Sequence, residues 1–504
     1  MGAQQDALRD VEVVESPAPG APDAGPGADP VLRRRARLRR LWPVLPVAAA
    51  ALVTGQLVAD ARERAHVAGL REVPGVVGQD VTAPLRTTPV GSRADLQRLV
   101  DGVRAGDLRV AGAEAVAGEP PAVVAVDATT GAEVWRTVVD PRPAPADRIG
   151  TPTCAPADAP VTRVVCLVQE QEITAGDDGG RLGAVTASRL VVLDAATGVP
   201  GGEEQVAAYS GIGASDELLV VAETEGDGIR VVARDLASGR DRWDVRLPLP
   251  GGLADLAGAA PWVSVQDGHV LVRTTARGWS LDPADGAVQV ADQQVVVTRG
   301  GRLLTWDGGE NRNRLRGTDG TGTAEAPAGW PATLAVDDGS VPHLELLDRE
   351  QTGVGRHLVG HLRAVDAATG ATVWERELPG ALRSSYLLLE DRLYGADATA
   401  VWAVDARDGR ELWRTPWDPG APTEQVDATT WTTGWIEPVT DGRHLVIARE
   451  RAEGGAVLST FALGSGALER TDAAPPEIDG HLEVQGHALY GGADEVVRVE
   501  GAGA

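Results

Sequence analysis

The sequence predicts an all-β propeller of eight blades, each of four antiparallel strands, with seven blades also compatible and one transmembrane helix ahead of the ring. Three observations predict it. A unit with fixed Asp, Gly and Trp positions recurs along the chain, the units lie about 48 residues apart on average, and an uncharged 19-residue stretch follows an arginine cluster near the N-terminus. Repeats of about 40–50 residues are the period of four-stranded propeller blades.

In chain order, residues 1–32 form a Pro-, Ala-, Gly- and Asp-rich tail with almost nothing to bury, read as disordered and cytoplasmic. Residues 33–40 are a basic juxtamembrane segment with six arginines in eight positions. Residues 41–59 carry no charge, and at about 1.5 Å per residue they reach roughly 28 Å, close to the hydrocarbon thickness of a bilayer. The positive-inside rule then keeps the tail in the cytoplasm and places everything after Asp60 outside the cell membrane. Cleavage at the signal-peptidase-like Ala59-Asp-Ala61 is the alternative, and would release a secreted domain. Residues 60–85 read as a polar stalk or linker, and 86–504 as the extracytoplasmic ring.

Four copies of the unit are complete. Asp127, Gly131 and Trp135 recur as Asp235, Gly239 and Trp243, as Asp366, Gly370 and Trp374, and as Asp405, Gly409 and Trp413. Each keeps Gly four and Trp eight residues after Asp. Asp194 with Gly198 and Asp282 with Gly286 keep the turn without the Trp, and degenerate copies surround Asp307 and Leu463. Alternating apolar residues before each Asp form a strand, and a second strand runs from the Gly to the Trp. The Asp carboxylate accepts backbone N–H bonds inside the turn, and Gly adopts positive φ at little cost. After the last unit, 482–490 and 495–500 supply two strands placed to join the first blade and close the ring, removing its exposed edges.

Composition narrows the function. With 47 basic and 73 acidic side chains the net charge is −26, which argues against a nucleic-acid partner. The 43% hydrophobic content is that of a folded chain.

The repeated Ala-x-Asp-x-x-Thr-Gly-x-x-x-Trp unit resembles the PQQ-like β-propeller repeat family over roughly residues 86–504. That family includes quinoprotein alcohol dehydrogenases, a propeller lipoprotein of outer-membrane protein assembly, and many membrane-anchored extracytoplasmic proteins of no assigned activity. The resemblance implies that Trp135, Trp243, Trp374 and Trp413 are wedges docked between neighbouring blades. It also raises a quinone-dependent dehydrogenase, which in this family uses adjacent cysteines, a calcium ion held by Glu and Asn, and an Asp base.

The residues here do not supply that set. Cys154 and Cys166 are twelve apart, and the acidic Gly-rich segments 177–180, 318–321 and 337–340 lack calcium-loop spacing and read as hairpin turns. The His357 and His361 pair lies before or within a strand, where a spacing of four does not converge on one metal. No H-E-x-x-H, G-x-S-x-G or phosphate-cradling motif occurs. No catalytic, cofactor-binding or metal-binding residue is therefore assigned, and no cofactor is expected. Trp417, Trp431 and Trp435 fall outside the repeat position and read as either buried or lining a binding face.

The expectation is a single-pass, membrane-anchored propeller that binds a protein or cell-envelope component without turnover. A small-ligand propeller or PQQ-dependent dehydrogenase is the alternative. Cys154 in a Pro-rich loop and Cys166 in the strand Val164–Val168 are expected to form a disulfide in an oxidising compartment.

Overall fold

A computed structural model describes residues 44–501, apart from 83, 93–101, 114–119, 129–130, 141–147, 156–161, 175–180, 250–259, 308–311, 318, 353–358, 380–384, 398–399, 417–436, 451–454, 479–481 and 493–494. The N-terminal tail, the arginine cluster, His357, Trp417, Trp431 and Trp435 therefore lie outside the described residues.

The chain divides into two compact units, Met1–His66 and Val67–Ala504. Most of the first unit's described part is one helix, Val44–Leu70, which does not stop at Ala59. It continues through Asp60, where Gln56 Nε2 donates to the carboxylate at 2.9 Å and Arg64 Nε to the backbone carbonyl at 3.1 Å. Among the described residues no helix is long and apolar enough to cross a membrane, so the transmembrane reading of residues 41–59 is not supported; its first residues, 41–43, lie outside the described residues.

The second unit holds nine sheets, so the ring has nine blades and not eight. Blades 1–5 occupy residues 103–138, 148–206, 211–248, 262–292 and 294–327 in turn. Blade 6 joins Trp330–Pro331 to 344–379, blade 7 runs over 386–416, and blade 8 over 439–473. Each of these eight holds one of the repeat positions, and seven of those positions end a third strand; Asp307 does not, since it ends the second strand of blade 5, Leu303–Asp307, ahead of the third, Arg312–Arg316. The ninth blade is Leu482–Gln485, Ala488–Gly491 and Glu495–Gly501, completed by Leu85–Ser92 from the other end of the chain. Leu85 stands opposite Gly501 and Ser92 opposite Glu495. Counting Asp turns misses this blade, because its third and fourth strands are joined by no turn at all. Pairing the two ends closes the ring and leaves no sheet edge between first and last blades.

Burial grades across each blade. In blade 3 the first strand, Gly211–Ala214, is buried throughout, whereas in blade 2 the fourth strand, Pro200–Val206, is exposed at six of seven positions. First strands therefore face the interior of the ring and fourth strands its rim. Blades 6 and 7 are also stitched by backbone: Leu334–Asp337 leaves blade 6 and runs parallel to Tyr386–Leu389, the first strand of blade 7.

Cys154 and Cys166 are joined, but not as a loop pinned to a blade. Cys154 ends the first strand of blade 2, Arg148–Cys154, and stands directly opposite Cys166 in the second. The prolines that suggested a loop are compatible with this strand, since Pro152 lies in the blade's edge strand, where a missing N–H is tolerated. Blade 1 meets that strand closely: a Cβ on Gly112 would lie 1.8 Å from the Pro152 carbonyl oxygen. Because the backbone already pairs these strands, replacing both cysteines by serine is expected to cost about 3 kcal/mol or less in chemical denaturation and to leave the fold intact.

Candidate functional site

The turn residues singled out by the repeat are spent on the turns. Asp194 Oδ1 accepts from Thr197 N at 2.9 Å and Thr197 Oγ1 at 2.7 Å, while Gly198 N closes the turn on the Asp194 carbonyl at 2.8 Å. Asp366 repeats this with Thr369, and Asp235 with Ser238, where Arg242 adds an ion pair at 2.8 Å. The Thr197 and Thr369 hydroxyls and backbone N–H groups hold the Asp194 and Asp366 carboxyls below the usual range. Arg242, followed by Ser238, does the same for Asp235. Asp127, Asp282 and Asp405 close equivalent turns on Gly131, Gly286 and Gly409.

The tryptophans reach across to the next blade. Trp135, Trp243, Trp374 and Trp413 each donate Nε1–H to a backbone carbonyl one residue past the next blade's turn position, on Ala195, Pro283, Ala406 and Leu463, at 2.8 to 3.2 Å. Each ring covers the glycine of that turn. An added Cβ on Gly198, Gly286, Gly409 or Gly466 would come within 2.3 to 2.6 Å of the indole. Gly239 follows a blade without the Trp and has nothing within 4 Å, while Gly370 faces backbone, at Glu325 O. The signature alanine has a role that the sequence reading missed. Ala125, Ala233, Ala364 and Ala403 stand directly opposite the four tryptophans, leaving the indole room.

Two further groupings lie at opposite ends of the ring. At the end carrying the Asp turns, the segment after the helix lies across blades 8 and 9. Gly75 N donates to Gly486 O, Val77 N to Thr440 O and Gly78 N to His487 O, and Val76 and Val77 are fully buried. Here Asp441, whose side chain is 1% exposed, accepts from His444 Nδ1 at 3.1 Å, from the Arg443 and His444 amides, and from Val81 N. Arg71 Nε donates to the Asp441 carbonyl at 3.1 Å.

Asp80, Asp441 and His444 each offer an atom within 4.8 Å of the others, but His444 Nε2 also faces Glu469 at 3.5 Å. Burial pulls the His444 ring down and Asp441 outweighs it, with Glu469 and Asp80 adding to the rise, so its pKa stands above the ordinary value. Burial pushes Asp441 up, and its bonds to His444 and the backbone amides bring it below the usual range. Both ring nitrogens face carboxylates, so the protonated ring forms an ion-pair latch with Asp441 and Glu469.

At the opposite end, blades 4 to 6 present aromatic and basic side chains. Trp262 opens the first strand of blade 4, is 47% exposed, and carries the Arg273 guanidinium 3.5 Å from its ring centroid. Trp330 opens blade 6, is 39% exposed, and packs edge-on against Trp306 of blade 5 with centroids 6.2 Å apart. Repeat counting passed over Trp262 and Trp330 because they lie outside the turn unit, and took Trp306 as part of the degenerate copy at Asp307. His361, in the third strand of blade 6, pairs with Glu375 at 2.9 Å.

A ring of four-stranded blades joined by Trp wedges, with no catalytic constellation among its described residues, defines a repeat β-propeller. The family model described as outer membrane protein assembly factor BamB matches residues 91–245 and 350–460, and the chain belongs to this family, the PQQ-like β-propellers. No curated protein matches the chain. Solved structures similar in fold include BamB from Moraxella catarrhalis, 20% identical over 65% of this chain and 95% of that one, with a TM-score of 0.31. Quinohemoprotein alcohol dehydrogenase ADHIIG from Pseudomonas putida HK5 is 12% identical over 87% and 82%, with a TM-score of 0.32. Apo AztD from Citrobacter koseri is 10% identical over 78% and 98%, with a TM-score of 0.31.

Proposed function

We propose that this propeller is an extracytoplasmic, non-catalytic scaffold that binds a protein or cell-envelope component through the aromatic end of blades 4 to 6. The observation that carries the reading is Trp262 with its stacked Arg273, at the same end of the ring as the Trp306–Trp330 pair. Exposed Trp and Arg are the residues that most often anchor interfaces, because they bury much area at small ordering cost. The Cys154–Cys166 bond supports an oxidising compartment.

A photo-crosslinking residue placed at Trp262 or Trp330 is expected to trap a discrete partner in cells. One placed at Val288, on the rim of blade 4, is not, and equal adducts from both places would sink the proposal. Trp262→Ala with Arg273→Ala should abolish the adduct formed from Trp330, while unfolding shifts by less than about 1 kcal/mol, as for surface changes.

The dehydrogenase reading asks for residues that do not fit. Cys154 and Cys166 are paired across two strands and not adjacent in sequence, and the His444 nitrogens are held by carboxylates. Protein incubated with PQQ and calcium is expected to give no alcohol- or sugar-dependent dye reduction. Steady turnover would replace the scaffold reading with an enzyme.

A further inference from the structure

Four junctions of the ring are closed by an indole that faces an alanine across its own blade and bonds a carbonyl of the next. The junction from blade 8 to blade 9 is built differently. In blade 8, Ala462 takes the place of the turn Asp, since Ala462 N bonds Ala467 O and Gly466 N bonds Ala462 O as in the other turns. Eight residues on, the Trp position is Arg470, and the residue opposite it is Thr460 in place of alanine.

Arg470 keeps one half of the wedge's role. Its Nη1 donates to the Thr82 carbonyl at 2.7 Å, on the segment leading into the closing strand Leu85–Ser92, and its Nε pairs with Asp472. The other half, filling the space between blades, is left undone. A cavity of about 380 Å³ remains there, walled by Val81, Leu85, Val446 and Leu458 and edged by Arg470 and Asp472. That volume is at the small end of ligand pockets, about 300–1,000 Å³.

We infer that this cavity is a binding site for a single tryptophan side chain presented by a partner polypeptide. The ring itself puts an indole at four of its nine junctions, and the chemistry left at this one is complementary to an indole. The aliphatic walls accept the ring, the Arg470 guanidinium offers a cation to its face, and the Asp472 carboxylate can accept the indole N–H. Simple aliphatic side chains would bury the same walls without engaging the Arg470–Asp472 pair. The site lies between blades 8 and 9, apart from the aromatic end of blades 4 to 6, so the inference stands independently of the function proposed above.

The full chain titrated with 5-fluoroindole is expected to give a saturable change in the ¹⁹F spectrum. N-acetyl-L-tryptophanamide should displace the probe at least tenfold more effectively than N-acetyl-L-leucinamide. Arg470→Trp, which supplies the indole from within, should weaken probe binding at least tenfold and raise the thermal midpoint. Leu458→Trp, which fills the cavity from its wall, serves where Arg470→Trp does not fold by circular dichroism. A titration that fails to saturate, equal displacement by the two amides, or unchanged binding in a folded filled variant would each overturn the inference. A null titration would leave the crosslinking result at blades 4 to 6 unaffected, which separates the two readings.

Discussion

Trp374→Ala is expected to be among the most damaging single substitutions in the ring, costing about 3–5 kcal/mol in equilibrium unfolding. Its side chain is 7% exposed by residue, belongs to the core shared by blades 6 and 7, and donates Nε1–H to Ala406 O at 2.8 Å. Truncation opens a cavity between blades and leaves that carbonyl without its donor. The complementary change, Gly409→Val, is expected to be comparably harmful for a different reason. The position needs positive φ, at 71°, and a Cβ there would lie 2.6 Å from the Trp374 ring. By contrast, Gly239→Ala has nothing to strike and carries only the backbone strain of φ 68°, about 1–2 kcal/mol. Denaturation of the three variants checks the ordering. A Trp374→Ala protein as stable as the parent would remove the wedge account.

Asp441→Ala is expected to cost about 3–5 kcal/mol, because it leaves the His444 imidazolium buried without its nearest carboxylate. The pH dependence follows from the two shifts. Asp441 has its folded pKa depressed, so its contribution is complete above the ordinary aspartate value near 3.9 and fades as pH falls through the lowered one. His444 has its folded pKa raised, so its contribution is complete below about 6.5 and is lost as pH rises through the raised value. The latch is therefore strongest between about pH 4 and 6.5. The stability gap between the parent and His444→Gln should be widest there and narrow on going to alkaline pH. Hydrogen exchange at Val76 and Val77, whose segment the latch holds against blades 8 and 9, should follow the same profile. A gap that widens above pH 7 would reverse the assignment of the charged partner.

Much of the ring is readable in the chain because its unit is local. The Asp127-to-Trp135 spacing puts a carboxylate at the head of a turn, a glycine at its end and a Trp in the next strand, all set by contacts within about ten residues. Among the described residues seven turns of this kind join a third to a fourth strand, six headed by Asp and one by Ala462, and each belongs to its own sheet. The ninth blade escaped that count because it carries no unit: Leu85–Ser92 finds Glu495–Gly501 across the whole length of the chain, and no short-range pattern reports such a pairing. The Arg470 position was hidden for a related reason. A degenerate turn without Asp or Trp is visible only once Ala467 and Ala462 are seen bonded as the other turns are.

The membrane reading stands apart from the ring: residues 41–59 are free of charge, and among the described residues no helix is long and apolar enough to cross a bilayer, so the reading is not supported. The aromatic end was likewise only half legible. Trp262 and Trp330 open first strands and Trp306 lies at the end of a second strand, positions that antiparallel pairing brings to one end of the ring.

The amino-acid sequence by itself determined that this is an all-β repeat ring of the PQQ-like kind, and, apart from the degenerate copy at Asp307, which Asp, Gly and Trp residues build its turns and junctions. Turn chemistry and strand alternation act over a few residues, so composition and spacing carry them in full. The tertiary structure alone decided the number of blades, the strand-to-strand placement of the Cys154–Cys166 bond, the latch of Asp441 and His444 on the entering segment, and the unfilled junction at Arg470. Each of those depends on pairing across hundreds of residues or on the space left between packed faces, and neither quantity is written in any local stretch of the chain.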